Sequence, residues 1–194
     1  MKSNDTRRQL IDGTIRVIAR DGLDKATTKQ IGIETATNEA YIYRCFHDKT
    51  DMFAQTFDCL DNELLDNLMQ HIPIMYMQTM DFELRCWGFF SSVWKFILGN
   101  QDRCLAYIQY YYSPYFKKHS AEIHKRRYAP LLEQFRPAFR EEANVWMLLN
   151  HILNVMLDFA IKVFDGALPD NEDTAEHVFR LLYVSVRQYF NFEM

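Results

Sequence analysis

The sequence predicts an all-α fold, and three observations carry that expectation. Only 6 Gly and 5 Pro punctuate 194 residues, too few turn residues for a many-stranded sheet. Apolar residues recur at three- and four-residue spacing along most of the chain, which is the period of a helix face. The strict alternation of a half-buried strand is missing throughout.

Leu10, Ile11, Thr14, Val17 and Ile18 share one face of a first helix. Arg7, Arg8, Asp12, Arg16 and Arg20 lie off that face, and Gly22 is placed to end the helix as its C′ residue. A second, brief helix opens at TTKQ. Thr27 as N-cap and Gln30 three residues on form a capping box that satisfies two orphan backbone donors. Its clearest inward residue is Ile31. After a tight connection through Ala36 and Thr37, Asn38 caps a third helix of about two turns, Glu39 to Phe46. Helices this short are marginal alone, so their neighbours must hold them. Three helices, two of them short and joined by a tight turn, read as a helix-turn-helix over residues 1–48.

Asp48 caps a fourth helix running to about Gln70. It carries an apolar stripe of Met52, Phe53, Phe57, Leu60, Leu64 and Leu68, with Asp58, Asp61, Asn62 and Asp66 expected to face away. The remaining chain, grouped with this helix as a second domain over 49–194, reads as helices at Asp81–Leu98, Gln101–Tyr112, Ala121–Arg140, Glu142–Asp165 and Asp173–Asn191. Within Val145–Phe164, the polar residues Asn150, Asn154, Asp158 and Lys162 recur every four positions along an otherwise apolar cylinder. A helix apolar nearly all round must be covered nearly all round. The last helix adds a broad face of Val178, Phe179, Leu182, Val186, Tyr189 and Phe190. Together these two helices point to a homodimer joined by a four-helix bundle; a core helix inside a monomer is the competing expectation.

Composition excludes several classes. The segment MKSNDTRRQL lacks the apolar core of a signal peptide. Val145–Phe164, the nearest approach to a membrane span, carries polar and charged groups that a bilayer centre penalises, so no membrane association is expected. Cys45, Cys59, Cys86 and Cys104 are widely spaced without a CxxC, as expected of free thiols in a cytoplasmic protein. No nucleophile motif, Gly-rich phosphate loop or metal-ligand spacing is present, so neither an enzyme nor a cofactor is expected. His119 and His124 lie in a charged stretch that reads as solvated surface, and the pairs His47-Asp48 and Glu141-Glu142 read likewise. The net charge of −4 is unevenly spread. Residues 1–50 hold nine Lys/Arg against seven Asp/Glu, a net of +2, while the other 144 residues carry −6. A mildly basic head on an acidic body suits phosphate contact by the head alone.

The run TTKQIGIETATNEAYIYRCFHDKTDM, Thr27 to Met52, resembles the tetracycline-repressor (TetR) family of transcriptional regulators. The likeness rests on Thr27 and Thr28 opening the second helix, Ile31-Gly32 within it, and Asn38 capping the third. Tyr43, Phe46 and Lys49 follow at the family's spacing. Where the family usually has Ala-Gly-Val-Ser through the turn, this chain has Thr35-Ala36-Thr37-Asn38, so Ala must take a conformation that Gly adopts freely. Gly32 stands where Ala is usual and should weaken the second helix slightly.

The resemblance implies that the third helix enters the major groove of double-stranded operator DNA, flanked by phosphate contacts. The candidate DNA-binding residues are Thr27, Thr28, Lys29, Asn38, Glu39, Ala40, Tyr41, Tyr43, Arg44 and Lys49. Tyr43 and Lys49 are placed on phosphate and Phe46 in the core. Glu39 reads as a first-turn carboxylate that stabilises its helix, and Tyr41 is open between base contact and surface aromatic. The resemblance further implies a small hydrophobic effector, free to be cationic, that releases DNA. Candidate ligand residues are Trp87, Phe90, Trp94, Tyr107, Tyr111, Trp146, Asn150, Asn154 and Asp158. The alternative is an all-helical apolar-ligand carrier or enzyme, or a protein-binding adaptor, that keeps the fold without operator binding.

Overall fold

The computed structural model describes residues 2–192, with side chains from Asp5 onward. Among the described residues there are nine α-helices and no strand, only an isolated bridge between Phe139 and Phe190. The helices are α1 (Lys2–Asp21), α2 (Thr28–Glu34), α3 (Glu39–Cys45), α4 (Lys49–His71), α5 (Phe82–Leu98), α6 (Gln101–Tyr111), α7 (Ala121–Phe135), α8 (Val145–Phe164) and α9 (Glu172–Val186). The chain forms two compact units. One takes the chain up to Glu63 with Gln101–Arg126; the other takes Leu64–Asn100 with the chain from Arg127 on.

In the first unit α1 buries Leu10, Thr14, Val17 and Ile18 and lies along α6. Gly22 ends α1 at φ +93°. Polar ties fasten α6 to its neighbours. Arg103 on α6 reaches Asp12 on α1 at 2.9 Å and Glu63 on α4 at 3.0 Å. Gln109 accepts the backbone N–H of Leu23 at 2.8 Å. The part of the predicted α4 stripe that falls in this unit, Met52, Phe53, Phe57 and Leu60, is buried, and Leu64 and Leu68 are buried in the second unit.

Asp61 corrects the sequence reading of that helix. It does not face away with Asp58, Asn62 and Asp66; it is fully buried, 2.9 Å from His124 of α7 and 3.5 Å from the Tyr107 hydroxyl. Four residues after Phe57, it sits on the edge of the apolar stripe rather than behind it. His124 is likewise buried and not solvated surface. It belongs to an inward row of Ser120, His124, Tyr128, Leu131 and Phe135, at helical spacing within a charged sequence.

In the second unit α5, α8 and α9 pack together, with a 3₁₀ turn at Ile72–Tyr76 against α5. Trp87, Phe90 and Trp94 stack along α5 at centroid distances of 5.7 and 5.8 Å, and Phe179 of α9 closes edge-on against Trp87 at 5.2 Å. Three of the helices expected here have different ends, each for a local reason. α7 stops at Phe135, where Pro137 turns the chain into a 3₁₀ segment. α8 begins three residues later than expected because Asn144 caps it, accepting from the Met147 N–H at 3.0 Å. α9 begins at Glu172 behind its Asn171 cap and gives way after Val186 to a 3₁₀ turn.

Candidate nucleic-acid interface

The helix-turn-helix is assembled by reciprocal capping. Thr27 accepts the Gln30 N–H at 3.2 Å while the Gln30 side chain accepts the Thr27 N–H at 3.0 Å. Asn38 accepts the Ala40 N–H at 2.9 Å and starts α3. Asp48 accepts from Asp51 N–H, and the Asp51 carboxylate accepts the His47 N–H, both at 2.8 Å, which fixes the entry into α4.

The turn between α2 and α3 has an unusual division of labour. Ala36 sits at φ +51°, the one non-Gly residue with positive φ among those described. The chain then folds back so that Thr37 donates its N–H to the Gly32 carbonyl at 2.8 Å. A Cβ at Gly32 would stand 2.9 Å from the Thr37 carbonyl oxygen. Gly32 therefore does more than weaken α2, as the sequence suggested: its missing side chain is the space into which the turn closes.

α3 buries Ile42 and is anchored by buried Phe46 just beyond its end, as expected for Phe46. Its opposite side is bare. Asn38, Glu39, Ala40, Tyr41, Tyr43 and Arg44 are exposed, as are Thr27 and Lys29 of the preceding helix; Thr28 and Lys49 are half-buried. The Arg44 guanidinium lies 5.0 Å over the Tyr41 ring, so the two present one flat cationic-aromatic surface. Lys49 sits 5.0 Å over Phe53. The Thr28 hydroxyl donates to the Glu39 carboxylate, which joins the starts of α2 and α3.

Six of the basic residues of the head divide into two sets. Arg16 and Arg20 bind Glu34 at 2.7 and 2.9 Å, and those hydrogen bonds, Arg16 first, hold the Glu34 carboxyl below its usual range. Arg7 donates to Gln55. Lys29, Arg44 and Lys49 border the bare face instead.

The residues expected to hold a ligand are dispersed. Tyr107 and Tyr111 belong to the first unit, stacked on each other at 5.7 Å beside the Asp61–His124 pair. The other seven belong to the second. Trp94 is core, Trp87 borders an open groove, and Phe90 lines an apolar cavity. Asn150 donates to the Trp146 carbonyl one turn back at 2.8 Å. Asn154 is exposed, and exposed Asp158 pairs with Lys162. No sequence signal connects Asp12, Glu63 and Arg103, or Asp61 and His124, because each set is joined only by the fold across 40 to 91 positions.

A capped pair of short helices with a bare polar-aromatic face, in a chain whose described residues are mostly helical, forms a helix-turn-helix head. Residues 10–56 match the family model of bacterial regulatory proteins of the tetR family. That match takes in the helix-turn-helix head, about a quarter of the chain. The chain is 38% identical over 69 residues to the HTH-type nicotine-responsive transcriptional repressor HdnoR of Paenarthrobacter nicotinovorans, a match covering 36% of this chain and about a third, 34%, of that one. Its fold is similar to a TetR-family transcription regulator from Marinobacter aquaeolei VT8, with TM-score 0.78 at 14% identity over 95% of this chain and 98% of that. A regulator from Saccharomonospora viridis, solved in complex with choline, superimposes with TM-score 0.64 at 16% identity over 96% and 98%. The regulator FadR of Bacillus subtilis, solved with stearoyl-CoA, gives 0.66 at 15% over 90% and 96%.

Proposed function

We propose that this chain is a transcriptional repressor that binds operator DNA as a homodimer and leaves it when a small hydrophobic effector occupies the body. Residues 1–48 act as the DNA-binding domain and 49–194 as the effector and dimerisation domain, working in the cytoplasm. The observation that carries the reading is the exposed side of α3, where Tyr41, Tyr43 and Arg44 stand clear of the core with Lys29 and Lys49 at its margins. In the major groove, Asn38, Ala40 and Tyr41 meet base edges, while Thr27, Thr28, Lys29, Tyr43, Arg44 and Lys49 meet phosphate. Glu39, already engaged by Thr28, holds α3 rather than reading a base.

Support for the dimer comes from α8 and α9. By length and composition, α8 is apolar enough to cross a bilayer, yet only 17% of its most apolar window is buried within the chain. Met147, Leu181 and Val184 are 63%, 59% and 65% exposed. A second copy covers this surface, and the line of Asn150, Asn154, Asp158 and Lys162 along α8 disfavours lipid. Dimers of this kind place their recognition helices about one DNA turn apart, ~34 Å, or a multiple of it.

A gel-shift on DNA from upstream of the protein's own gene, at two salt concentrations, tests the proposal. Operator binding should be specific and weaken by roughly 10³-fold between about 50 and 200 mM salt if some six phosphates are neutralised. Equal binding to unrelated DNA, or none, leaves the adaptor or carrier reading in its place.

A further inference from the structure

The acidic charge of the body is broken at one place. Beyond residue 50 the chain holds 13 Lys/Arg (22 less 9) and 19 Asp/Glu (26 less 7). Four of those bases, Lys117, Lys118, Lys125 and Arg126, fall within residues 115–126 beside a single carboxylate, Glu122. That stretch carries +3, while the other residues beyond 50 hold nine bases against eighteen acids, a net of −9. We propose that it makes a second contact with DNA, holding the phosphate backbone beside the bases that α3 meets without reading sequence itself. The inference rests on the DNA-binding reading above and extends the contact surface beyond residues 1–48.

The fold places this stretch against the start of α4. Gln101–Arg126 shares one compact unit with the chain up to Glu63. Tyr115 packs perpendicular to Phe53 of α4 with ring centroids 5.9 Å apart, and Phe116 packs on Phe57, one turn further along α4, at 5.3 Å. Lys49, the candidate phosphate residue that opens α4, lies 5.0 Å over that same Phe53 ring. One ring therefore joins Lys49 to the root of the basic stretch, and Lys117 follows Tyr115 by two residues.

A single π-helical turn, Phe116–Ser120, makes the corner. The Ala121 N–H closes it on the Phe116 carbonyl. Its wider turn keeps Phe116 against His124, at 5.5 Å, and Ser120 buried, with Lys117, Lys118 and His119 left exposed in succession. Lys125 and Arg126 are exposed on the helix that follows. Among the described residues none of the four bases is in an ion pair, whereas Arg16, Arg20, Arg103, Lys162 and Arg180 each hold a carboxylate. Exposed, unpaired cations in an otherwise acidic chain attract a polyanion. DNA is the polyanion that Lys49 meets next to them, and its phosphates release counterions to each added Lys or Arg.

The test uses the full-length chain, a duplex from upstream of its own gene and an unrelated duplex of equal length. Affinity is read by fluorescence anisotropy over a range of salt. Lys117→Gln with Lys118→Gln should weaken both duplexes alike, at least tenfold near ~100 mM salt, and lower the slope of log affinity against log salt by about 1.8, or ~0.9 per phosphate. The ratio of the two affinities should keep its wild-type value. Lys117→Arg with Lys118→Arg retains the charge and should retain the slope. Melting temperature should not move, since these side chains are exposed; if it falls, Lys125→Gln with Arg126→Gln repeats the measurement and should give the same loss. An unchanged slope, or a loss confined to the upstream duplex, overturns the assignment. A wild-type chain that binds both duplexes equally removes the operator reading, while the change in slope still decides the corner. Wild-type binding to vesicles of phosphatidylcholine and phosphatidylserine that the Gln pair abolishes, with the DNA slope unchanged, assigns the corner to a lipid surface and overturns the DNA contact.

Discussion

His124 Nδ1 lies 2.9 Å from Asp61 Oδ1, and both side chains are buried. The histidine ring is packed by Tyr111 at 5.6 Å, Phe116 at 5.5 Å and Phe57 at 6.4 Å. This is a polar pair enclosed by aromatic rings, joining α4 to α7 within one unit. Removing one partner strands the other away from water, which costs about 3–5 kcal/mol.

Asp61→Ala and His124→Ala should therefore each lower the melting temperature by roughly 6–20 °C, at about 2–4 °C per kcal/mol for a chain of this size. Their effects should not add. A double-mutant cycle should return a coupling above about 1 kcal/mol. Additivity within roughly 0.5 kcal/mol would show that the two residues do not act as a unit.

The turn of the helix-turn-helix makes a prediction of opposite signs at two small residues. Ala36 holds positive φ, where an L residue is disfavoured by about 1–2 kcal/mol. Ala36→Gly removes that strain but adds freedom to the unfolded chain, about 0.4–1 kcal/mol. The net change should be a gain of roughly 0.5–1 kcal/mol in chemical denaturation. Gly32→Ala brings a methyl within 2.9 Å of the Thr37 carbonyl and should destabilise despite Ala's better helix propensity. A stable Gly32→Ala variant would mean that the turn can open without consequence.

Much of this head was legible beforehand because its signals are local. The Thr27–Gln30 box, the Asn38 cap and the inward Phe46 each depend on residues a few positions apart, and the structure realises all three. Ala36 was also legible, as the residue standing where the family's turn glycine usually stands. Asp61 and His124 were not. A carboxylate or imidazole within a charged stretch looks solvated until its partner, 63 positions away, is known. The ligand residues were the least legible. Aromatics at helical spacing mark a core as readily as a cavity, and Trp94 proved to be core while Phe90 lines the void.

On the reading surface, Glu39 and Tyr41 should behave differently although they are two residues apart. The Glu39 carboxylate accepts from Thr28, so Glu39→Gln should leave the preferred DNA sequence unchanged. Tyr41→Ala removes the platform under Arg44 and should alter sequence preference. Tyr43→Phe should weaken binding uniformly by losing one phosphate contact. Binding-site selection from a random DNA pool separates these outcomes. Uniform loss from Tyr41→Ala would show that this residue does not read bases.

The exposed face of α8 and α9 carries the last prediction. Leu181 and Val184 are already more than half in water within one chain, so replacing them should leave the fold of the subunit intact. In a dimer each contributes about 1.5–3 kcal/mol of apolar burial. Leu181→Glu with Val184→Glu removes that burial twice over in a symmetric interface and adds carboxylates that must be desolvated. Sedimentation should show the dimer dissociating, its dissociation constant raised by at least 10²-fold, with an unchanged far-UV spectrum. Operator affinity should fall with it, because two half-sites are then bound independently instead of as one unit. If the pair of substitutions leaves the subunits associated, α8 and α9 are not what joins them.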